Sequence, residues 1–368
     1  MKLKRDGMNA GARKHYIDNL RWLALLTLIP YHTAMAWNVW DEPNYIFFEK
    51  NRVISSIVVF ESPFFMPLLF VLAGISSKYA LEKRTVGQYL AERAKKLLVP
   101  LAFGTLALMP IMAYLADRFN RGYDGGFFRH YAVFFTKFTD LTGADGGFSL
   151  GQFWFLLYLF VISALSAAVI TLIKKKEYKV KPVPFWTAML LGLPLPLLGE
   201  LLSVGGKSLA EYMYLFLLGY FVLSNDGIIN KAEKYTLPLG CVGLAASVFD
   251  VYLFIWSGRE YPVLNSAAKY ISEWFMIIAL LGLAKRYLDF SGKISGYMKE
   301  RSFLFYIYHF VWVVAFEYLL YPIFSGNTFA LYFGTAALSC LMTFVCCEIS
   351  IRIPFLRALT GMPAKRTK

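Results

Sequence analysis

The sequence predicts an all-α protein: a polytopic transmembrane helical bundle of about ten spans, with its N- and C-termini in the cytoplasm. Three observations carry this reading. Hydrophobic residues make up 58% of the 368 residues and charged residues 17%, whereas a soluble domain carries about a quarter charged. The mean hydropathy of +0.50 is spread along the chain rather than confined to one segment. Lysines and arginines fall in short clusters between apolar runs, as in the cytoplasmic loops of membrane proteins. A soluble fold of this length has too little interior to hide that much apolar surface, so lipid is the natural solvent.

A spanning helix needs about 20 mostly apolar residues, and the candidates follow one another along the chain. Residues 1–16 form a basic cytoplasmic tail. The run 17–38 then imitates a signal peptide, with the small-residue stretch Ala34–Met35–Ala36 at its end. Asp18 and Arg21 at its start, and nine further apolar segments, make it an uncleaved first span instead. Next come 53–77 and 94–116, separated by a basic cluster. The segment 117–151 reads as an extracytoplasmic loop rich in glycine and aromatics, and its middle, 127–138, as an amphipathic helix at the interface. A fourth span covers 152–173. Pro194 and Pro196 interrupt the fifth candidate, 184–202, and the sixth, 210–224, is short. This pair is alternatively re-entrant, which leaves eight spans and the same orientation. Spans at 235–256, 265–284, 303–323 and 328–349 precede a second basic tail at 350–368. With no internal repeat and no low-complexity tract, residues 1–368 read as a single membrane domain.

Charge sets the orientation and excludes one class of function. The net charge of +14 would suit a nucleic-acid partner, but the distribution argues against it. With the N-terminus inside, 28 of the 38 basic residues fall on the cytoplasmic side and 9 outside, Arg21 lying within the first span. That asymmetry is the positive-inside pattern. Cys241, Cys340, Cys346 and Cys347 sit in apolar stretches, and none has zinc-like spacing with histidine, so no metal site is expected.

Ionisable groups within lipid are expensive and are functional candidates by default. The first span offers the sharpest set. Asp18 and Arg21 are i, i+3 neighbours that can pair. Arg21 and His32 lie 11 residues apart, which on an unbroken helix returns within about 20° of the same face, ~16 Å along the axis. A cation near the cytoplasmic surface and an imidazole deep in the membrane would then share one stripe. Interfacial snorkelling by Arg21 and a satisfied core histidine account for the same residues without chemistry.

The run Tyr16–Ile17–Asp18–Asn19–Leu20–Arg21, followed by Tyr31–His32, resembles the opening of the acyltransferase 3 family of bacterial membrane O-acyltransferases. Its Arg and His are separated by ten residues, with Asp three before the Arg, as in the family signature. The stretch Phe64–Phe65–Met66–Pro67–Leu68–Leu69–Phe70–Val71–Leu72–Ala73–Gly74 is similar to a family element that usually has Ser where Ala73 stands. Arg93–Ala94–Lys95–Lys96–Leu97–Leu98–Val99–Pro100 resembles another, with Lys96 replacing an Arg. Phe153–Trp154–Phe155–Leu156, Tyr306–Ile307–Tyr308–His309 and Arg352–Ile353–Pro354–Phe355–Leu356–Arg357 fit later landmarks. The resemblance spans nearly the whole chain, and the glucan-modifying subgroup is the nearest in arrangement.

The resemblance implies O-acyl transfer at the plasma (inner) membrane. The donor would be a cytoplasmic acyl-CoA, acetyl or succinyl, used as a co-substrate with no permanently bound cofactor. The acceptor would be a hydroxyl of an extracytoplasmic glycan or glycolipid. A hydroxyl attacking a thioester needs a base near neutral pKa, and His is the side chain closest to that value; His32 is the expected catalytic residue, as that base or, alternatively, through a transient acyl-imidazole. Arg21 with its partner Asp18, and Arg93 with Lys96, would meet the donor's phosphates, Arg as a fork and Lys as a point charge. Glu61 would orient His32 or hold the acceptor, and His309 would supply a second polar contact. Asp250, Glu273 and Glu317 would pair with basic groups or line a cavity. Trp37, Trp40, Trp154, Trp256 and Trp274 suggest interfacial belts first and sugar stacking second. A secondary transporter or flippase without covalent chemistry is the alternative, because transporters also place ionisable groups and Pro-broken spans at the midplane.

Overall fold

A computed structural model describes residues 14–138, 147–175 and 183–363. Most of the N-terminal basic tail, the end of the C-terminal one, residues 139–146 of the 117–151 loop and the basic stretch 176–182 lie outside the described residues. The chain is nearly all helix. It opens with α1 (His15–Leu26) and α2 (Leu28–Met35), followed by the long α3 (Arg52–Leu81). A capping box between Thr85 and Gln88 starts α4 (Val86–Phe103). A π-turn at Gly104–Leu108 carries it into α5 (Met109–Arg121). Gly122, at φ 63°, supplies the left-handed residue that ends α5, and the short α6 (Phe127–Phe134) follows. Buried His130 of α6 binds Asp117 of α5 through Nε2 at 2.9 Å, which ties the expected interfacial helix to the bundle.

The second half continues with α7 (Trp154–Lys175), α8 (Phe185–Leu190) and α9 (Leu195–Gly199). A minimal antiparallel hairpin, β1 (Ser203–Val204) and β2 (Lys207–Ser208), leads into α10 (Leu209–Leu218). Then come α11 (Asp226–Lys234), α12 (Thr236–Val251), α13 (Pro262–Tyr287), α14 (Lys293–Phe324), α15 (Thr328–Arg352) and the short α16 (Pro354–Leu359). π-turns extend α10 to Leu223 and α12 to Trp256.

Seven helices among the described residues are long and apolar enough to cross a membrane, or eight if a bent pair counts as one span. The difference from the ten expected lies where helices break. The expected span 17–38 is α1 and α2 joined at Thr27. Pro30 explains the joint: it has no N–H for the Leu26 carbonyl, and its ring crowds that oxygen. The expected 184–202 divides into α8 and α9 around Pro194, as its prolines suggested. The expected 210–224 is α10 with its π-turn, which bends by 95° into α11. Asn225 caps the new helix by accepting from the Gly227 amide at 2.8 Å.

The central helix is α3, 72% of whose apolar stretch is buried, against 28% for α15 at the periphery. It meets α10 without side chains between them. A Cβ on Gly74 would collide with the Phe216 carbonyl, and one on Gly219 with the Val71 carbonyl. Small residues at both sides of a crossing let backbones touch, which is how helices associate where lipid is as apolar as leucine. The first helix is anchored by polar bonds instead. Fully buried Asn19 donates to the Leu288 and Phe290 carbonyls at 2.7 and 2.9 Å, fixing α1 to the link between α13 and α14. Tyr332 of α15 donates to the Pro30 carbonyl at 3.2 Å.

The tryptophans divide in a way their count did not show. Trp37, Trp154 and Trp274 are buried in the core, whereas Trp40, in the loop after α2, is half-buried and Trp256, at the end of the π-turn after α12, is exposed. All four cysteines are free.

Candidate active site

Asp18, Arg21, Arg93 and Lys96 line one cavity of about 400 Å³, between α1, α3, α4, α7 and α14. Arg21 is held as a fork: Nη1 faces Asp18 at 3.3 Å, while Nη2 donates to the Ser76 hydroxyl at 2.7 Å and the Leu72 carbonyl at 3.3 Å. The i, i+3 pairing expected from sequence is therefore formed. Lys299 of α14 approaches the other Asp18 oxygen at 3.5 Å. Arg93 donates to the Ser77 hydroxyl at 2.9 Å and lies over the Tyr89 ring. Lys96 sits over the Phe303 ring. Because α4 begins at Val86, Arg93 and Lys96 stand on turns within the helix rather than at the mouth of a span beginning at residue 94, and both line the cavity.

The cavity thus gathers four cations, Arg21, Arg93, Lys96 and Lys299, against the carboxylates of Asp18 and Glu92. Glu92 is engaged by Arg84 at 2.9 Å. A partly enclosed site with this excess suits a ligand carrying several negative charges, because fewer water dipoles screen the attraction. Sequence reasoning missed Lys299 and Ser76, and it met Tyr306 only as part of a family landmark, not as a site residue. Lys299 was legible only as one of the basic residues at 285–301 that set topology.

His32 lies past the break in the first span and does not line this cavity. The helix break replaces the single stripe expected for Arg21 and His32 with two separate surroundings. The His32 ring stacks on Phe310 at 4.0 Å between centroids, meets Tyr31 edge-on at 5.2 Å, and faces His309 at 5.2 Å. His309 is fully buried, and its Nδ1 lies 2.8 Å from the Tyr306 carbonyl. A carbonyl oxygen only accepts, so Nδ1 carries the hydrogen and Nε2 presents its lone pair. That Nε2 has no hydrogen-bond partner among the described residues.

Helix α14 joins the two surroundings. Lys299, Phe303 and Tyr306 line the cavity, and His309, one turn beyond Tyr306, reaches the His32 ring. The remaining expected residues are placed elsewhere. Glu61 lies beside the Thr27 hydroxyl, at the joint of α1 and α2. Glu273 and Glu317 are fully buried with no hydrogen-bond partner among the described residues, so the pairing expected for them is not formed there. Asp250 does line a cavity, one separate from the cationic cavity.

A bundle of several membrane-crossing helices, with a cationic cavity and two imidazoles in ring contact one turn further along α14, defines a multi-pass membrane protein with a site for an anionic ligand. Residues 14–348 match the acyltransferase 3 family model, described as an acyltransferase domain, and the chain belongs to that family. It is a membrane acyltransferase, as the ordered motifs from Asp18 to Arg357 implied. Among curated proteins it is similar to glucans biosynthesis protein C of Salmonella paratyphi B, Salmonella enteritidis and Salmonella heidelberg. Each is 22% identical, over 95% of this chain and 95% of the relative. No solved structure matches it.

Proposed function

We propose that the protein transfers an acetyl or succinyl group from cytoplasmic acyl-CoA to a hydroxyl of an extracytoplasmic glycan or glycolipid, at the inner membrane. The observation that carries this reading is the convergence of Arg21, Arg93, Lys96 and Lys299 on one cavity, with α14 leading from it to His32. CoA is a polyphosphate, and the fork of Arg with the point charges of Lys is a suitable complement. Glucans in the name of the similar Salmonella proteins support a glycan acceptor.

In the proposed reaction the acceptor oxygen attacks the thioester carbonyl while His32 takes its proton. The tetrahedral intermediate expels the CoA sulfur, which recovers that proton from the imidazolium, leaving an ester and free CoA. His309, whose Nε2 is kept as an acceptor by the bond from Nδ1 to Tyr306, faces the His32 ring at 5.2 Å between centroids and steadies the cation as it forms. The arrangement follows the logic of a base oriented by a third group.

Membranes containing the protein, given radiolabelled acetyl-CoA or succinyl-CoA and a surface glucan, are expected to label the glucan in a donor-dependent way. Movement of unlabelled glycan into liposomes with no thioester-dependent product would replace this reading with transport.

Orientation is tested separately. The basic residues predict a cytoplasmic reporter after Lys368 and an external one within 117–151. Reporters found on the same side would overturn the proposed access of donor and acceptor.

A further inference from the structure

A second cavity, of about 320 Å³, lies between the end of α2, the early turns of α3 and the adjoining ends of α12 and α13. It falls within the roughly 300–1,000 Å³ typical of small-molecule sites. Its α3 residues are Val58, Val59, Ser62 and Pro63, whereas α3 meets the cationic cavity at Leu69, Ala73, Ser76 and Ala80. The two cavities therefore open at different depths of the same helix. Tyr31 walls the second one, and its ring touches His32 edge-on.

The lining differs in chemistry from the first. Trp40 and Phe254 pack at 5.6 Å and 64°, giving aromatic surface at one side. The Trp40 indole N–H is fixed by Glu42 at 2.9 Å. Asp250 is buried and accepts from the Asn265 amide at 3.1 Å. Rings that cover C–H faces, beside carboxylates and an amide that exchange hydrogen bonds with hydroxyls, match a neutral sugar. An acyl chain placed here would leave Asp250 and Glu42 without new partners, at a desolvation cost. A phosphate would meet those same carboxylates, two against the one cation of the lining, Lys269.

We propose that this cavity is the acceptor site and holds a hexose unit of the glycan, with one hydroxyl directed past Tyr31 to His32. The proposal rests on the acyl-transfer reading for the hydroxyl's fate, but the site itself is defined by sugar binding. Trp40 supplies the stacking face, while Asn265 and Asp250 bind hydroxyls.

The test uses the full-length chain in detergent, with a linear glucose oligosaccharide as probe and acetyl-CoA or succinyl-CoA as donor. Trp40→Ala and Asn265→Ala are each expected to weaken oligosaccharide binding by calorimetry, and to raise acceptor KM, roughly tenfold. Donor KM should stay at the wild-type value, which also reports that the variants are folded. Trp40→Phe should restore most of the binding, because it keeps a ring. If transfer proceeds and both alanine variants keep wild-type acceptor KM and binding, the cavity is not the acceptor site and the transfer reading stands. If the wild type binds the oligosaccharide through Trp40 but transfers nothing from either donor, the sugar site stands and the transfer reading falls. Absence of oligosaccharide binding to an active wild type would overturn the proposal.

Discussion

His32→Gln is expected to reduce acyl transfer by about 10²–10⁴-fold, the usual cost of removing a positioned general base. Gln keeps a polar head and hydrogen-bonding capacity but has no nitrogen that titrates near neutrality. Donor KM should change little, because His32 lies outside the cavity formed by Arg21, Arg93, Lys96 and Lys299. In the wild type the rate should fall at acid pH as the imidazole becomes protonated and can no longer accept the hydroxyl's proton. His309→Gln separates the two rings. If His309 only steadies the imidazolium of His32, its loss costs less than the loss of the base. The reverse order, with correctly inserted His32→Gln keeping most of its activity and His309→Gln inactive, would make the bare Nε2 of His309 the base.

The two imidazoles also mark the limit of what the chain displays as a sequence. Each is visible on its own, His32 in the first span and His309 in a late one. Their contact exists only because α14 packs beside α2, and nothing in residue spacing encodes that. The cationic cavity was more legible. Asp18 and Arg21 are helix neighbours, and Arg93 and Lys96 belong to an ordered element. Lys299 and Ser76 could not be added, because a basic residue near a helix end and a serine within a span have ordinary reasons to be there. The helical nature of the chain was plain, since hydropathy sums over a window. The number of unbroken spans was not, since the same sum passes over Pro30, whose missing N–H divides α1 from α2. Trp40 shows the same limit. Counted with the other tryptophans it looks like part of a belt, and only its packing against Phe254, beside the second cavity, sets it apart from Trp37.

Arg21→Lys keeps the positive charge and removes the fork, so it isolates geometry from electrostatics. In the resting protein the guanidinium reaches Asp18, Ser76 and the Leu72 carbonyl at once. An ammonium on a flexible stem cannot reproduce that planar arrangement. Hydrogen bonds to charged groups contribute about 1.5–3 kcal/mol each, and each 1.4 kcal/mol is about tenfold in affinity. Loss of one bidentate contact with the donor should therefore raise donor KM about tenfold or more, with kcat and acceptor KM much less affected. Lys299→Gln offers the complementary case, in which charge is lost and the fork is kept. Its effect should shrink as salt is raised, because a point charge at a partly open cavity is screened. The Arg21→Lys defect should persist, since it depends on shape. If Arg21→Lys reaches normal membrane levels with unchanged donor kinetics, Arg21 serves to hold α1 against α3, and donor phosphates must be met by Arg93, Lys96 and Lys299 alone.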